Sequence, residues 1–132
     1  MTPSQNYKFI WQAVRRRQPI AFLYTGKSRT ACPIVLGYSA NRRETLSAYQ
    51  VAGETSGARA LPQWRCFNLD GVGELQTVHA AWREGESHRQ PQTCVRFVDI
   101  DVNIPETLTR PEPLRFGSSQ LRPPRRTKSL DR

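Results

Sequence analysis

At Pro19 the chain changes its hydrophobic period, and few architectures accept what lies on the two sides of that residue. Before it, Tyr7, Ile10, Trp11 and Val14 recur every three to four residues, which gives a helix over about residues 7–17 a single apolar stripe. Arg15, Arg16 and Arg17 crowd the last turn, where cations suit the helix dipole, and a proline two residues on cannot prolong the helix. After Pro19, the residues Ile20, Phe22 and Tyr24 alternate with Ala21 and Leu23, the period of a strand.

The rest of the chain keeps to that second period. Thr25-Gly26-Lys27-Ser28 is a turn, so a hairpin with a return strand over residues 29–37 follows. Pro33 confines its own position in that strand to an edge, a bulge or a strand end. Strand formers fill residues 45–51, a small-residue connection runs over 52–62, and Trp64, Phe67 and Leu69 mark the next strand. Gly71 and Gly73 separate it from a strand over 75–82. After a polar stretch, residues 94–104 alternate again, with a phase change near Phe97 that indicates a bulge. Short, closely spaced strands after one helix predict a mainly β fold, a small SH3- or Sm-like barrel with one extra C-terminal strand. Ile10, Val14, Ile20, Phe22, Phe67, Leu69 and Val72 are its expected core.

The division expected is an N-terminal extension over 1–6, one domain over 7–104 and a disordered tail over 105–132. That tail carries Pro105, Pro111, Pro113, Pro123 and Pro124, and a basic cluster of Arg122, Arg125, Arg126 and Lys128 suited to nonspecific attraction of phosphates. A chain of 132 residues has room for one core, and its net charge of +9 attracts polyanions.

Three widely spaced cysteines, Cys32, Cys66 and Cys94, an odd number without a CxxC pair, argue for buried free thiols, a reducing compartment and no zinc site. With no apolar leader in the first residues and no run long enough to cross a membrane, a soluble cytoplasmic protein is expected. His79 and His88 lack a carboxylate or nucleophile at a motif spacing, and no GxSxG, HExxH or P-loop pattern occurs, so neither enzymatic activity nor a cofactor is expected. Asp99 and Asp101 share a strand face, where edge solubility explains them more simply than a metal does.

The order of short segments carries a resemblance. A helix, then Arg17-Gln-Pro-Ile-Ala-Phe-Leu-Tyr24-Thr-Gly26, Arg29, Pro33 and Leu36-Gly37 come first. Leu46-Ser-Ala-Tyr49-Gln50, Gly53 and Trp64-Arg65-Cys-Phe67-Asn-Leu69-Asp70 follow. Read together over roughly residues 8–80, these resemble a WYL domain, the small barrel that senses ligands in bacterial transcription regulators. The triplet that names the family falls on Glu44-Thr45-Leu46, which keeps the leucine and puts an acid near the expected ligand face. The resemblance implies a face of Tyr24, Arg29, Tyr49, Arg65 and Phe67 that takes up single-stranded DNA or RNA, a nucleotide or a similar anion. The chemistry is apt: arginine offers phosphate a planar fork, and aromatic faces stack on bases.

Two functions are therefore expected. The first is a stand-alone, non-enzymatic sensor of nucleic acid or nucleotide in transcriptional or defence regulation, acting through a separate DNA-binding partner or its own tail. The second is a protein-interaction module that docks a regulator or forms a homodimer through the strand at 94–104.

Overall fold

The computed structural model describes residues 2–55 and 60–114. Helix α1 spans Gln5–Arg16, slightly earlier than its apolar stripe suggests. The reason is a cap: the Ser4 hydroxyl accepts the Tyr7 N–H at 3.1 Å, and the Glu44 carboxylate accepts the Ser4 N–H at 2.8 Å. Arg17 ends the helix in the left-handed conformation, with its N–H and that of Gln18 returning to the carbonyls of Val14 and Ala13.

Six strands follow: β1 Ile20–Tyr24, β2 Lys27–Tyr38, β3 Glu44–Gly53, β4 Gln63–Asn68, β5 Val72–Thr77 and β6 Phe97–Asp101. They form one antiparallel sheet in the order β4-β3-β2-β1-β5, with β6 added on β2. The mainly β class with a leading helix is as expected. The sheet is open, however, since its path ends on β4 and β5 instead of closing into a ring. It still curls, because Phe22 and Tyr24 of β1 lie edge-on to Phe67 of β4 at 5.0 and 4.9 Å.

Strand β2 explains the topology. One edge carries β3 throughout, so the other is shared by β1, opposite residues 27–31, and β6, opposite residues 35–38. Pro33 sits in the gap between those two partners, and the β2–β3 register shifts just after it, so the missing N–H is accommodated at a bulge. A further shift between Leu36 and Gly37 puts two residues of β6 against one of β2, the phase change legible near Phe97. Gly37 permits this close approach, since a Cβ there would fall on the Phe97 carbonyl oxygen. From Ala31 onward β2 is buried on both faces, and α1 lays Tyr7, Ile10, Trp11 and Val14 into the same core as Ile20, Phe22, Leu36, Leu46, Phe67 and Ile100.

Several expectations are corrected. The strand placed at 75–82 occupies Val72–Thr77, and Trp82 lies in the irregular segment beyond it. The strand placed at 94–104 is shorter. Asp99 is not there for edge solubility: it is buried and accepts the Tyr7 hydroxyl. Residues 105–114 belong to the folded body. Helix α2, Pro105–Leu108, brings the Thr107 hydroxyl to the backbone N–H and carbonyl of Asp101 at 2.9 and 3.0 Å, and Arg110 reaches the Asp99 carbonyl at 3.3 Å. These side chains take up backbone groups on the outer edge of β6, where a docking strand would have to pair. The basic cluster at Arg122–Lys128 lies outside the described residues.

The largest correction concerns the cysteines. Cys66 and Cys94 form a disulfide, and Cys32 alone is free and buried. An odd count forbids only the pairing of all three. Cys66 lies on β4 and Cys94 in the irregular segment before β6, and the path of that segment across the sheet brings them together, which spacing along the chain does not reveal.

Candidate anion-binding site

Alternation decides which side chains meet. On β3, Leu46, Ala48 and Gln50 are all fully buried on the inner face, and their partners across the ladder are Phe67, Arg65 and Gln63 of β4. On the other hairpin Phe22 faces Arg29. Curling of the sheet then brings the Arg29 guanidinium over two rings, with its Cζ 5.6 Å from the centre of Tyr24 and 5.8 Å from that of Phe67. Arg65 approaches Phe67 from β4, its Cζ at 6.0 Å. Four of the five residues singled out in the sequence, Tyr24, Arg29, Arg65 and Phe67, therefore share one site.

Tyr49 does not belong to it. One residue out of phase, it points to the opposite face, where its ring lies 4.9 Å from Trp64, Arg83 stands over it at 5.7 Å, and Gly85 packs against it. Glu44 is also elsewhere engaged: its carboxylate holds Ser4 at the start of α1.

The electrostatics of the site are one-sided. Arg29 is 1 % exposed, yet among the described residues neither it nor Arg65 is in an ion pair. Its guanidinium makes three long hydrogen bonds of 3.4 Å, to Gln50 Oε1, the Tyr24 carbonyl and the Thr25 hydroxyl. Burial, and then the neighbouring positive charge of Arg65, push Arg29 below the ordinary arginine value, against the weaker pull of Tyr24 and Glu54. Glu54 itself is turned to Ser28, whose N–H it accepts at 3.3 Å.

Three buried donors are left over: Arg29 Nε, Arg65 Nη1 and Gln63 Nε2 have no hydrogen-bond partner among the described residues. An unmet buried donor costs about 1–3 kcal/mol, more on a charged group, so three of one polarity in one cluster need an explanation beyond packing. Tyr24 adds a fourth group, since its hydroxyl accepts the Asn68 N–H at 3.2 Å and keeps its own proton to donate. The arrangement is a set of donors and aromatic faces with no acid in an ion pair with it among the described residues, the chemistry of an oxyanion receptor.

Gln50 and Gln63 went unnoticed in the sequence. Their signal was present: each is a polar residue in phase with buried neighbours, Gln50 with Leu46 and Ala48, Gln63 with Phe67. No grouping of His, Cys, Asp or Glu that could hold a metal exists among the described residues, and no described helix is long and apolar enough to cross a membrane. No family model, curated protein or solved structure gives a significant match to this chain.

Proposed function

We propose that this protein is a non-enzymatic sensor module that binds an oxyanion carried by single-stranded nucleic acid or a nucleotide at Arg29 and Arg65. The observation that carries the reading is the set of three unmet, buried donors, Arg29 Nε, Arg65 Nη1 and Gln63 Nε2, beside the rings of Tyr24 and Phe67. A phosphate would receive the two guanidinium groups, while an adjoining base has aromatic surface to lie on. The net charge of +9 supplies the long-range attraction. The WYL resemblance agrees with this reading, as does a regulatory role in the cytoplasm exerted through a separate DNA-binding partner. Those wider roles are part of the proposal.

The test is fluorescence anisotropy of the full chain with labelled single-stranded DNA, RNA and duplex DNA of one sequence across a salt series. Binding should be stronger for a single strand, and the Arg29→Met/Arg65→Met protein should lose about tenfold or more in affinity, the equivalent of a hydrogen-bonded charge contact. Undiminished binding by the double variant would assign the interaction to charge elsewhere on the chain. No binding of any of the three probes, or of a free nucleotide, by the wild-type protein would overturn the reading.

A further inference from the structure

The disulfide lies on the opposite face of β4 from the proposed anion site, and its surroundings divide into held and unheld parts. The segment between β5 and β6, residues 78–96, crosses the outer face of β3 and β4 with little regular structure. Its first half is secured several times over. The Arg83 N–H points to Cys32 Sγ at 3.3 Å, Glu84 pairs with Arg17 at 3.4 Å, Gly85 packs on Tyr49, and the Asn103 amide donates to the Ser87 hydroxyl at 2.8 Å.

The second half is fixed at its end, where Val95 is buried in the core and the Arg96 N–H donates to the Tyr38 carbonyl at 2.8 Å, but residues 90–94 make no hydrogen bond to the sheet among the described residues. Gln92 bonds only to near neighbours, accepting the Val95 N–H at 2.8 Å, donating to the Val95 carbonyl at 3.1 Å and lying 3.6 Å from Cys94 Sγ, and Gln90 returns to the Ser87 carbonyl. Among the described residues, the Cys66–Cys94 bond is the one link from this half to β4. Between them lies a cleft of about 200 Å³, with Ser47, Trp64, Arg65 and Cys66 on one side and residues 90–93 on the other. Cys66 is the exposed partner and Cys94 is half-buried.

We propose that Cys66–Cys94 is a thiol–disulfide exchange site for dithiols, and that its reduction opens the cleft between β4 and residues 90–93. The thiolate of a dithiol attacks the accessible Cys66 sulfur, the S–S bond breaks, and Cys94 leaves as a thiolate that takes a proton from solvent. The second thiol of the reagent then attacks the mixed disulfide and releases Cys66. The reagent ends as a disulfide and the protein as two thiols, a balanced transfer of two electrons and two protons. The net positive charge favours the approach of an anionic thiolate.

What reduction uncovers follows from the ladder. The Asn68 N–H leaves the sheet for Tyr24, so the backbone groups of Asn68, and of Cys66 and Trp64 in the same phase, point away from β3. Opening the cleft widens access to the outer face of β4 at Trp64 and Cys66, beside an edge whose backbone groups are not paired with β3. In a reducing compartment a disulfide of this kind is transient by nature and reports on the thiol pool.

The test uses the oxidised full chain treated with dithiothreitol without denaturant, quenched with iodoacetamide and read by mass spectrometry, together with amide hydrogen exchange before and after reduction. Cys66 and Cys94 should be alkylated while Cys32, buried and with its thiol pushed up by that burial, is spared. Exchange at residues 90–95, where Gln90 and Val95 hold the hydrogen-bonded amides, should rise about tenfold or more, with 81–87 and β2 unchanged. Cys94→Ser should show the same fast exchange with no reagent present. Purified protein without the disulfide after air oxidation would overturn the proposal. So would reduction only in step with Cys32 labelling, which signals global unfolding, or reduction that leaves residues 90–95 exchanging as before. Because reduction is read on the wild-type chain, a variant that fails to fold does not blunt the test.

Discussion

Two buried polar clusters in this domain use similar groups to different ends. Under α1, the Tyr7 hydroxyl donates to the buried Asp99 carboxylate, Tyr38 stacks on Tyr7 at 5.2 Å, and Arg110 takes the Asp99 backbone carbonyl. On the inner face of the sheet, Arg29 Nε, Arg65 Nη1 and Gln63 Nε2 are donors with no acceptor among the described residues. The first cluster joins helix to sheet and meets its buried carboxylate with a donor inside the fold. The second does not meet its donors, and the contrast teaches that burial of a charge marks a site only when its hydrogen-bonding capacity is left over.

Tyr7→Phe is expected to have the largest effect. It removes the donor facing a buried carboxylate and should cost about 3 kcal/mol in urea unfolding. A loss below about 0.5 kcal/mol would mean that Asp99 is fully served by other groups, and the helix cluster would no longer contrast with the sheet cluster.

Alkaline pH sharpens the same point. Burial first, then Asp99, raises Tyr7 above the ordinary tyrosine value, and burial, then Glu44 and Asp99, raises Tyr38. A folded value above the unfolded one means that the contribution is whole below about pH 10 and lost as pH rises beyond it. Unfolding free energy should then fall by about 1.4 kcal/mol per pH unit for each of the two tyrosines. Tyr7→Phe should remove one share of that slope, and an unchanged slope would show that Tyr7 ionises as freely folded as unfolded.

On the inner face the expected stability effects are smaller and those on binding larger. Arg29→Met should change stability by no more than about 1 kcal/mol in either direction, because an apolar side chain replaces a charge that lacks an ion pair. It should nevertheless weaken binding of a labelled single strand in anisotropy. A loss of several kcal/mol with binding intact would make Arg29 a structural residue like Asp99. The smallest effect belongs to Tyr49→Ala, which should leave single-strand affinity within about twofold, since Tyr49 lies across the sheet from the donors. A large drop would move the ligand to the face of Trp64 and Arg83.

Much of the fold was legible because its signals are local. The stripe of Tyr7, Ile10, Trp11 and Val14, the stop before Pro19 and the alternation through Ile20, Phe22 and Tyr24 each need only near neighbours to take effect. Even the irregularities at Pro33 and near Phe97 followed from one residue's missing N–H and one slip of phase. Four of the five candidate site residues, singled out by an order of short segments, lie together in the fold, whereas Gln50 and Gln63 are not among those candidates. Tyr49 was misplaced because a step of one along a strand reverses the face, and a segment's identity does not say which face its tyrosine takes.

The sequence by itself determined a basic chain with one helix, a run of short strands and one core, because hydrophobic period and turn chemistry act over a few residues. Tertiary structure alone decided that the sheet curls without closing, that Asp99 serves α1 and that Cys66 finds Cys94. It also decided that two arginines meet over Phe67 with donors to spare. Each of these depends on which distant positions the register and curl bring within a few ångströms, and that distance is set by the whole sheet and not by any stretch of the chain.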